Sequence, residues 1–373
     1  MTYLDANASE PLRPEARQAA IAALELDGNP ASVHASGRQS RRALEDARER
    51  IATLFGADPA GLVFTSGGTE SDALAIHALG RGRRRLIGAT EHEAVLRAGG
   101  EAPGETVLLP VLADGRLDLD GLAAALAGSV RSALVCVMLA NNETGVLHPV
   151  AEAAELCRRH GARLHVDAVQ AAGRMPVSLA ALGADSIAIS AHKLGGPKGS
   201  GALLLAASVD GFHLAPLIEG GGQERGRRGG TPALPAICGF AAAADAACRD
   251  LPEQARLARL RDRIERAAEA AGAIVCGAGA PRLANTTCLA LPGRRADTQL
   301  IALDLAGFAV SAGAACSSGK VSRSHVLEAM GRPDLAGSAI RVSLPWNVEA
   351  AAIDRFIDAY LAMSRATPVG RAA

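Results

Sequence analysis

The 373-residue chain is poor in lysine. Only Lys193, Lys198 and Lys320 occur, and every other basic residue is an arginine. Aromatic residues make up 2% of the chain, so a ligand site must lean on glycine, small polar groups and histidine rather than on aromatic stacking. Net charge is absent too: 39 basic and 39 acidic residues cancel, which removes any whole-molecule reason to expect nucleic-acid binding. The arginine clusters at 81–85 and 225–228 read as solvated surface. No apolar run reaches the ~18 residues of a membrane span. Asp5 and Glu10 stand where a signal peptide needs a basic and then an apolar run. Seven scattered cysteines form no Cys-x-x-Cys pair and no dense framework, which argues against a zinc or cluster site and against disulfide stapling. The expectation is a soluble, cytoplasmic protein with reduced thiols, no bound metal and no membrane or nucleic-acid partner.

What is present is alternation. A long amphipathic helix is expected over 38–55. Apolar segments at 62–65, 85–89, 133–139, 163–166 and 187–189 read as strands separated by helices, the first over 71–80 after a turn at 66–70, and 202–205 reads as an antiparallel neighbour. Apolar strands alternating with helices predict an α/β fold with a mostly parallel sheet covered on both faces. A helix over 233–249 closes this part, and Leu251-Pro252 breaks the pattern. Long helices and separate short strands follow. The expected organisation is a large domain over 14–251 and a smaller α+β domain over 252–373, joined by the N-terminal segment 1–13.

Five polar clusters share one position, after the C-terminal end of a strand: Ser66 to Thr69, Glu91-His92, Asn141 to Glu143, Asp167 to Gln170, and Ser190 to Lys193. In open α/β sheets that edge is where ligands bind. Lysine, unlike arginine, can lose its proton and form a Schiff base with a carbonyl. Asp167 lies 26 residues before Lys193, the span of one strand–helix–strand unit, and right-handed crossovers make such strands neighbours. Pyridoxal phosphate needs that pair: a lysine for its aldehyde and a carboxylate for its ring nitrogen. Ser66-Gly67-Gly68-Thr69 opens a helix whose free N–H groups suit a phosphate. His92 is placed to stack on the ring and move protons. Far along the chain, Cys316 sits among small residues, Ser311 to Lys320, in what reads as an exposed, mobile loop suited to a thiol that must reach a substrate. Cys136 and Cys157 read as inert core residues.

These residues carry a resemblance. Tyr3-Leu4-Asp5, Gly28-Asn29-Pro30-Ala31-Ser32, Phe64 to Asp72, Glu91-His92, Asn141-Asn142-Glu143-Thr144-Gly145, His165 to Gln170, Ser190-Ala191-His192-Lys193, Gly220 to Arg225, Gly230-Thr231 and the Cys316 loop occur in order. Together they resemble the cysteine desulfurases of the NifS/IscS type, pyridoxal phosphate enzymes of fold type I in the aminotransferase class V group. The resemblance implies a large domain with a seven-stranded sheet, a smaller α+β domain and a homodimer. It implies that Lys193 anchors the cofactor, Asp167 pairs with the ring nitrogen, Gln170 bonds the ring hydroxyl and His92 stacks and assists proton transfer. The same resemblance implies that Thr69, Ser190 and His192, with the backbone around Gly68, hold the phosphate, completed by a threonine from the partner subunit, which would place Thr231 at the dimer interface. It implies that Asn142 and Arg341 bind the substrate carboxylate. It further implies that L-cysteine yields alanine and a persulfide on Cys316, whose sulfur an iron–sulfur scaffold or another carrier takes.

Four places depart from the family's usual pattern. Ser9-Glu10 stands where two threonines are common, Ala73 where asparagine is frequent, Gly229 where serine or alanine is usual, and Leu344-Pro345-Trp346 where a glycine follows the strand. Two rival readings are a selenocysteine lyase on the same scaffold and a noncatalytic nucleotide-binding or sulfur-relay protein. Against the second, no Gly-x-Gly-x-x-Gly opens the first helix of the sheet.

Overall fold

The computed structural model describes residues 1–101, 105–128, 132–313 and 323–365. In chain order its strands are β1 (Thr2–Tyr3), β2 (Leu62–Thr65), β3 (Arg84–Gly88), β4 (Thr106–Leu109), β5 (Ala133–Met138), β6 (Arg163–Asp167), β7 (Ser186–Ser190), β8 (Gly201–Leu205), β9 (Ile274–Val275), β10 (Thr286–Ala290), β11 (Phe308–Ala309), β12 (Ser311–Ala312) and β13 (Ala339–Ser343). Strands β2 to β8 form one seven-stranded sheet in the order β2-β8-β7-β6-β5-β3-β4. β8 runs antiparallel to both of its neighbours, and the remaining pairings are parallel. Every residue of β2, β5, β7 and β8 is buried, as expected of strands covered on both faces. The alanine-rich helix Leu234–Arg249 packs closely on Pro14–Leu24 and Ala35–Leu54, since small side chains let helix axes approach.

β6 and β7 are parallel neighbours, with Asp167 opposite Ala188, so the predicted adjacency of the Asp167 and Lys193 strands holds. The short strands after residue 270 are not separate: β12-β13-β10-β9 make one antiparallel sheet, backed by its own apolar cluster around Leu260, Ile264, Leu289, Ile340 and Phe356. Leu4 belongs to that cluster, and β1 pairs with β11.

Two helices begin earlier than the sequence suggests. Ala35–Leu54 starts ahead of residue 38 because the His34 ring accepts from the Gly37 N–H at 3.2 Å. Gly68–Leu79 starts three residues before the predicted Ser71. Its entry is tied by the Glu70 carboxylate, which accepts from the Ser66 N–H at 2.8 Å, so the predicted turn is already the first helical turn.

Candidate active site

At the C-terminal edge of the seven-stranded sheet lies a cavity of about 370 Å³. Gly68, Thr69, His92, Asn142, Asp167, Gln170, Ser190, His192, Lys193 and Arg341 all line it, so each of the five strand-end clusters contributes.

Lys193 ends a single tight turn, Ala191–Lys193, that follows β7. Its Nζ donates to the carbonyls of Asn7 and of Ala8, the latter at 3.0 Å. The N-terminal segment is laced to this turn: the Glu10 N–H donates to His192 O at 2.8 Å and the Arg13 N–H to Gly195 O at 2.8 Å. Gly195, at φ +84°, permits the contact, since a Cβ there would lie 2.7 Å from Arg13 Cγ.

Asp167 closes β6, and its Oδ1 accepts from the Val169 N–H at 2.8 Å. Burial, reinforced by the neighbouring Asp72 carboxylate, pushes its carboxyl up to about 7. A protonated ring nitrogen beside this carboxylate would favour its ionised form. Gln170 Nε2 donates to Asn7 O at 3.0 Å, and its Oε1 accepts from Arg174. The Nδ1 of His92 accepts from the Ala94 N–H at 3.2 Å, which directs any ring proton to Nε2.

The residues fit a phosphate-bearing cofactor on two observations. Ser190 Oγ is buried without a hydrogen-bond partner, beside the first turn of Gly68–Leu79, whose amides have no acceptor within the helix. A Cβ on Gly68 would come 2.7 Å from Val169 Cγ2, so the close approach of helix and strand-end loop requires glycine. His192 is kept neutral, its pKa lowered to about 4 by burial and by the Lys193 and Lys198 charges.

Arg341 of β13 also lines the cavity and donates from Nη1 to Asn142 O at 3.1 Å and from Nη2 to Asp5 Oδ1 at 2.7 Å. Arg341 Nε and Asn142 Oδ1 are both buried without partners, a donor and an acceptor on residues that line the cavity. Thr231 is exposed and does not line the cavity within this chain. Cys316 lies outside the described residues. Gly313, three positions before it, lines the cavity.

Sequence reasoning assigned no role to Asp5, Asn7 or Ala8, yet all three line the cavity. Asn7 is a hub: its Nδ2 donates to Thr286 Oγ1 at 3.0 Å and to Asn142 O at 3.1 Å, and its N–H donates to Ser343 Oγ at 2.9 Å. The available signal was a polar run directly after the short apolar start.

The family model for aminotransferase class V matches residues 2–356. A cysteine desulfurase from Cereibacter sphaeroides is 45% identical over 369 residues, covering 95% of this chain and 94% of that protein. An IscS-like cysteine desulfurase from Mycobacterium tuberculosis is 41% identical over 377 residues, covering 97% and 94%. The solved structure of a NifS-like protein from Rickettsia africae superposes with a TM-score of 0.90 at 33% identity, covering 97% of this chain and 99% of that one. Enzymes of this family depend on pyridoxal phosphate, the group that Lys193, Asp167 and the Ser190 cradle suit. The chain belongs to the aminotransferase class V family, among its cysteine desulfurases of the NifS/IscS type.

Proposed function

We propose that this cysteine desulfurase moves the sulfur of L-cysteine onto its own Cys316 and hands it on from there. The observation that carries the reading is the shared cavity: Lys193, Asp167 and Gln170 line it together with Asn142 and Arg341. Gly313 also lines it, and Cys316 is three residues further along the chain, a contour of at most about 11 Å.

When bound, pyridoxal phosphate supplies an electron sink for the substrate Cα. The chain's own groups do the rest. Lys193 would hold the aldehyde of the cofactor, and Lys193 and His92, which both line the cavity, would be placed to move protons. Asp167 holds the positive charge of the ring nitrogen, Gln170 donates to the ring oxygen, and Gly68, Thr69, Ser190 and His192 hold the phosphate. Arg341 and Asn142 receive the substrate carboxylate. The Cys316 thiolate attacks the substrate sulfur: a new S–S bond forms, the Cβ–S bond breaks, and its electron pair with a proton goes to carbon. L-cysteine and one thiol thus become L-alanine and one persulfide.

The working unit in this reading is a homodimer in which the partner's copy of the exposed Thr231 completes the phosphate site. Residues 14–251 form the cofactor domain, and 252–373 with 1–13 form the smaller domain. The persulfide goes to an iron–sulfur scaffold or another sulfur carrier in the cytoplasm. No helix of the described residues is long and apolar enough to cross a membrane, and the described cysteines are free thiols, which suits a reducing compartment.

Mass spectrometry after incubation with L-cysteine tests this. One added sulfur is expected on the peptide containing Cys316, and none in Lys193→Ala. Sulfur found instead on Cys157 or Cys248 would move the nucleophile.

A further inference from the structure

Two departures from the family pattern, Glu10 and Trp346, are 336 residues apart in sequence and meet in the fold. The Trp346 N–H donates to Glu10 Oε1 at 2.8 Å, and the indole Nε1 donates to Pro11 O at 3.1 Å. The Arg13 guanidinium lies 4.8 Å from the indole centroid. The second oxygen of Glu10 accepts from Arg174 Nη2 at 3.1 Å, with the two side chains 6% and 4% exposed. Arg174 also donates to Ala6 O at 3.1 Å and, through Nη1, to Gln170 Oε1.

A buried ion pair is weak evidence of stability, because desolvation offsets its attraction. What it does here is directional. Arginine has five donors and no acceptor. A guanidinium held against one end of the Gln170 amide therefore fixes that end as oxygen and the other as NH2. One hydrogen of that NH2 is used on Asn7 O, and the other remains for the cavity that Gln170 lines.

We propose that Arg174, held in place by Glu10 and Trp346, is a positioning residue that locks Gln170 as a hydrogen-bond donor toward the ring oxygen of the bound cofactor. The inference rests on the cofactor assignment above. A donor at that oxygen favours its anionic form and so lowers the pKa of the protonated Lys193–cofactor linkage. An amide free to turn its oxygen inward would raise it. The other titratable and charged groups facing the linkage are Asp5, Asp72, His92, Asp167, His192 and Arg341, with Glu10 behind Arg174. Substituting Arg174 removes the ion-pair partner of Glu10 and one cation near His192 and Arg341, a charge effect that the Gln170→Met background separates from the effect through the amide.

The test is a pH titration of the visible absorbance of the holoenzyme. In Arg174→Met the linkage pKa is expected to rise by about one unit. Arg174→Lys, also donor-only, should stay near wild type, and Glu10→Gln should rise by less than Arg174→Met. In the Gln170→Met background, Arg174→Met should add nothing, because the arginine acts through the amide. An unchanged pKa in Arg174→Met overturns the proposal. So does an equal rise in the Gln170→Met background, which would mean the guanidinium acts by its charge alone. Should Arg174→Met not fold, Glu10→Gln decides, and an unmoved titration there overturns the proposal. A wild-type protein with no visible band would instead overturn the cofactor assignment.

Discussion

Arg341 Nη2 lies 2.7 Å from Asp5 Oδ1, and Ser311 Oγ donates to the other Asp5 oxygen at 2.7 Å. The proposed carboxylate-binding arginine is thus already paired with a carboxylate of its own chain, at the wall of the cavity. A substrate carboxylate must displace or share that partner. Hydrogen bonds to charged groups are worth about 1.5–3 kcal/mol. Arg341→Ala is therefore expected to lower kcat/KM for L-cysteine by roughly 10- to 150-fold, with cofactor content unchanged. Asp5→Asn should act in the opposite sense on KM, lowering it, because the guanidinium is left with a neutral neighbour. Steady-state kinetics on the two variants checks both signs. Equal rises in KM would mean Asp5 orients Arg341 rather than competing for it.

Asp167 is held by burial at a pKa near 7, a state that a ring-nitrogen cation reverses by pairing with the carboxylate. Asp167→Asn keeps the shape and the Val169 contact but cannot carry the charge. The expected result is a fall in kcat of about 10²–10³-fold, the scale of losing one preorganised electrostatic partner, with KM little changed. Pre-steady-state turnover with L-cysteine measures it. A variant with wild-type kcat would remove Asp167 from the chemistry.

The sheet edge was legible because it rests on local pattern: apolar strands of four to six residues, each followed by a polar cluster, with one crossover between Asp167 and Lys193. The roles of Asp5, Asn7 and Ala8 were not legible. They reach the cavity through a two-residue strand that pairs with Phe308–Ala309, and no local periodicity signals a pairing that distant. Glu10 and Trp346 were visible only as two unrelated departures; their hydrogen bond exists in the fold alone. The early start of Gly68–Leu79 was missed for a local reason. Gly67-Gly68 reads as a turn, whereas the Glu70 side chain closes the helix entry onto Ser66.

Asp72 lines the cavity and meets His165 of β6 at 3.1 Å. Burial pushes the Asp72 carboxyl up to about 8 and the His165 ring down to about 4, so near pH 7 the contact joins two uncharged groups rather than an ion pair. The signs differ. The folded protein keeps the Asp72 proton where the unfolded chain has lost it, so that stabilisation is full below about pH 4 and is lost as pH rises through about 8. The His165 contribution is present above its ordinary 6.5 and is lost as pH falls toward about 4. The two oppose each other below 6.5, and above it Asp72 acts without that offset. Urea unfolding of the cofactor-free protein should show stability declining between pH 6.5 and 8. Asp72→Asn should make the decline shallower by up to about 1.4 kcal/mol per pH unit. Identical slopes would mean that Asp72 is ionised in the folded protein.

Cys316→Ala separates sulfur transfer from simple elimination. The substitution leaves Lys193, Asp167 and Gln170 in place, so the cofactor spectrum should be retained. Burial holds the Cys136 thiol well above the usual range and pushes Cys157 up to about 12, so neither supplies thiolate near neutral pH. Alanine formation from L-cysteine should therefore fall by about 10³-fold or more, as when other enzymes lose their nucleophile. An enzyme that expels sulfur by elimination would keep its rate. Retained alanine formation in a Cys316→Ala protein of normal spectrum would thus place the C–S cleavage on groups inside the cavity, and remove the persulfide step from the reaction.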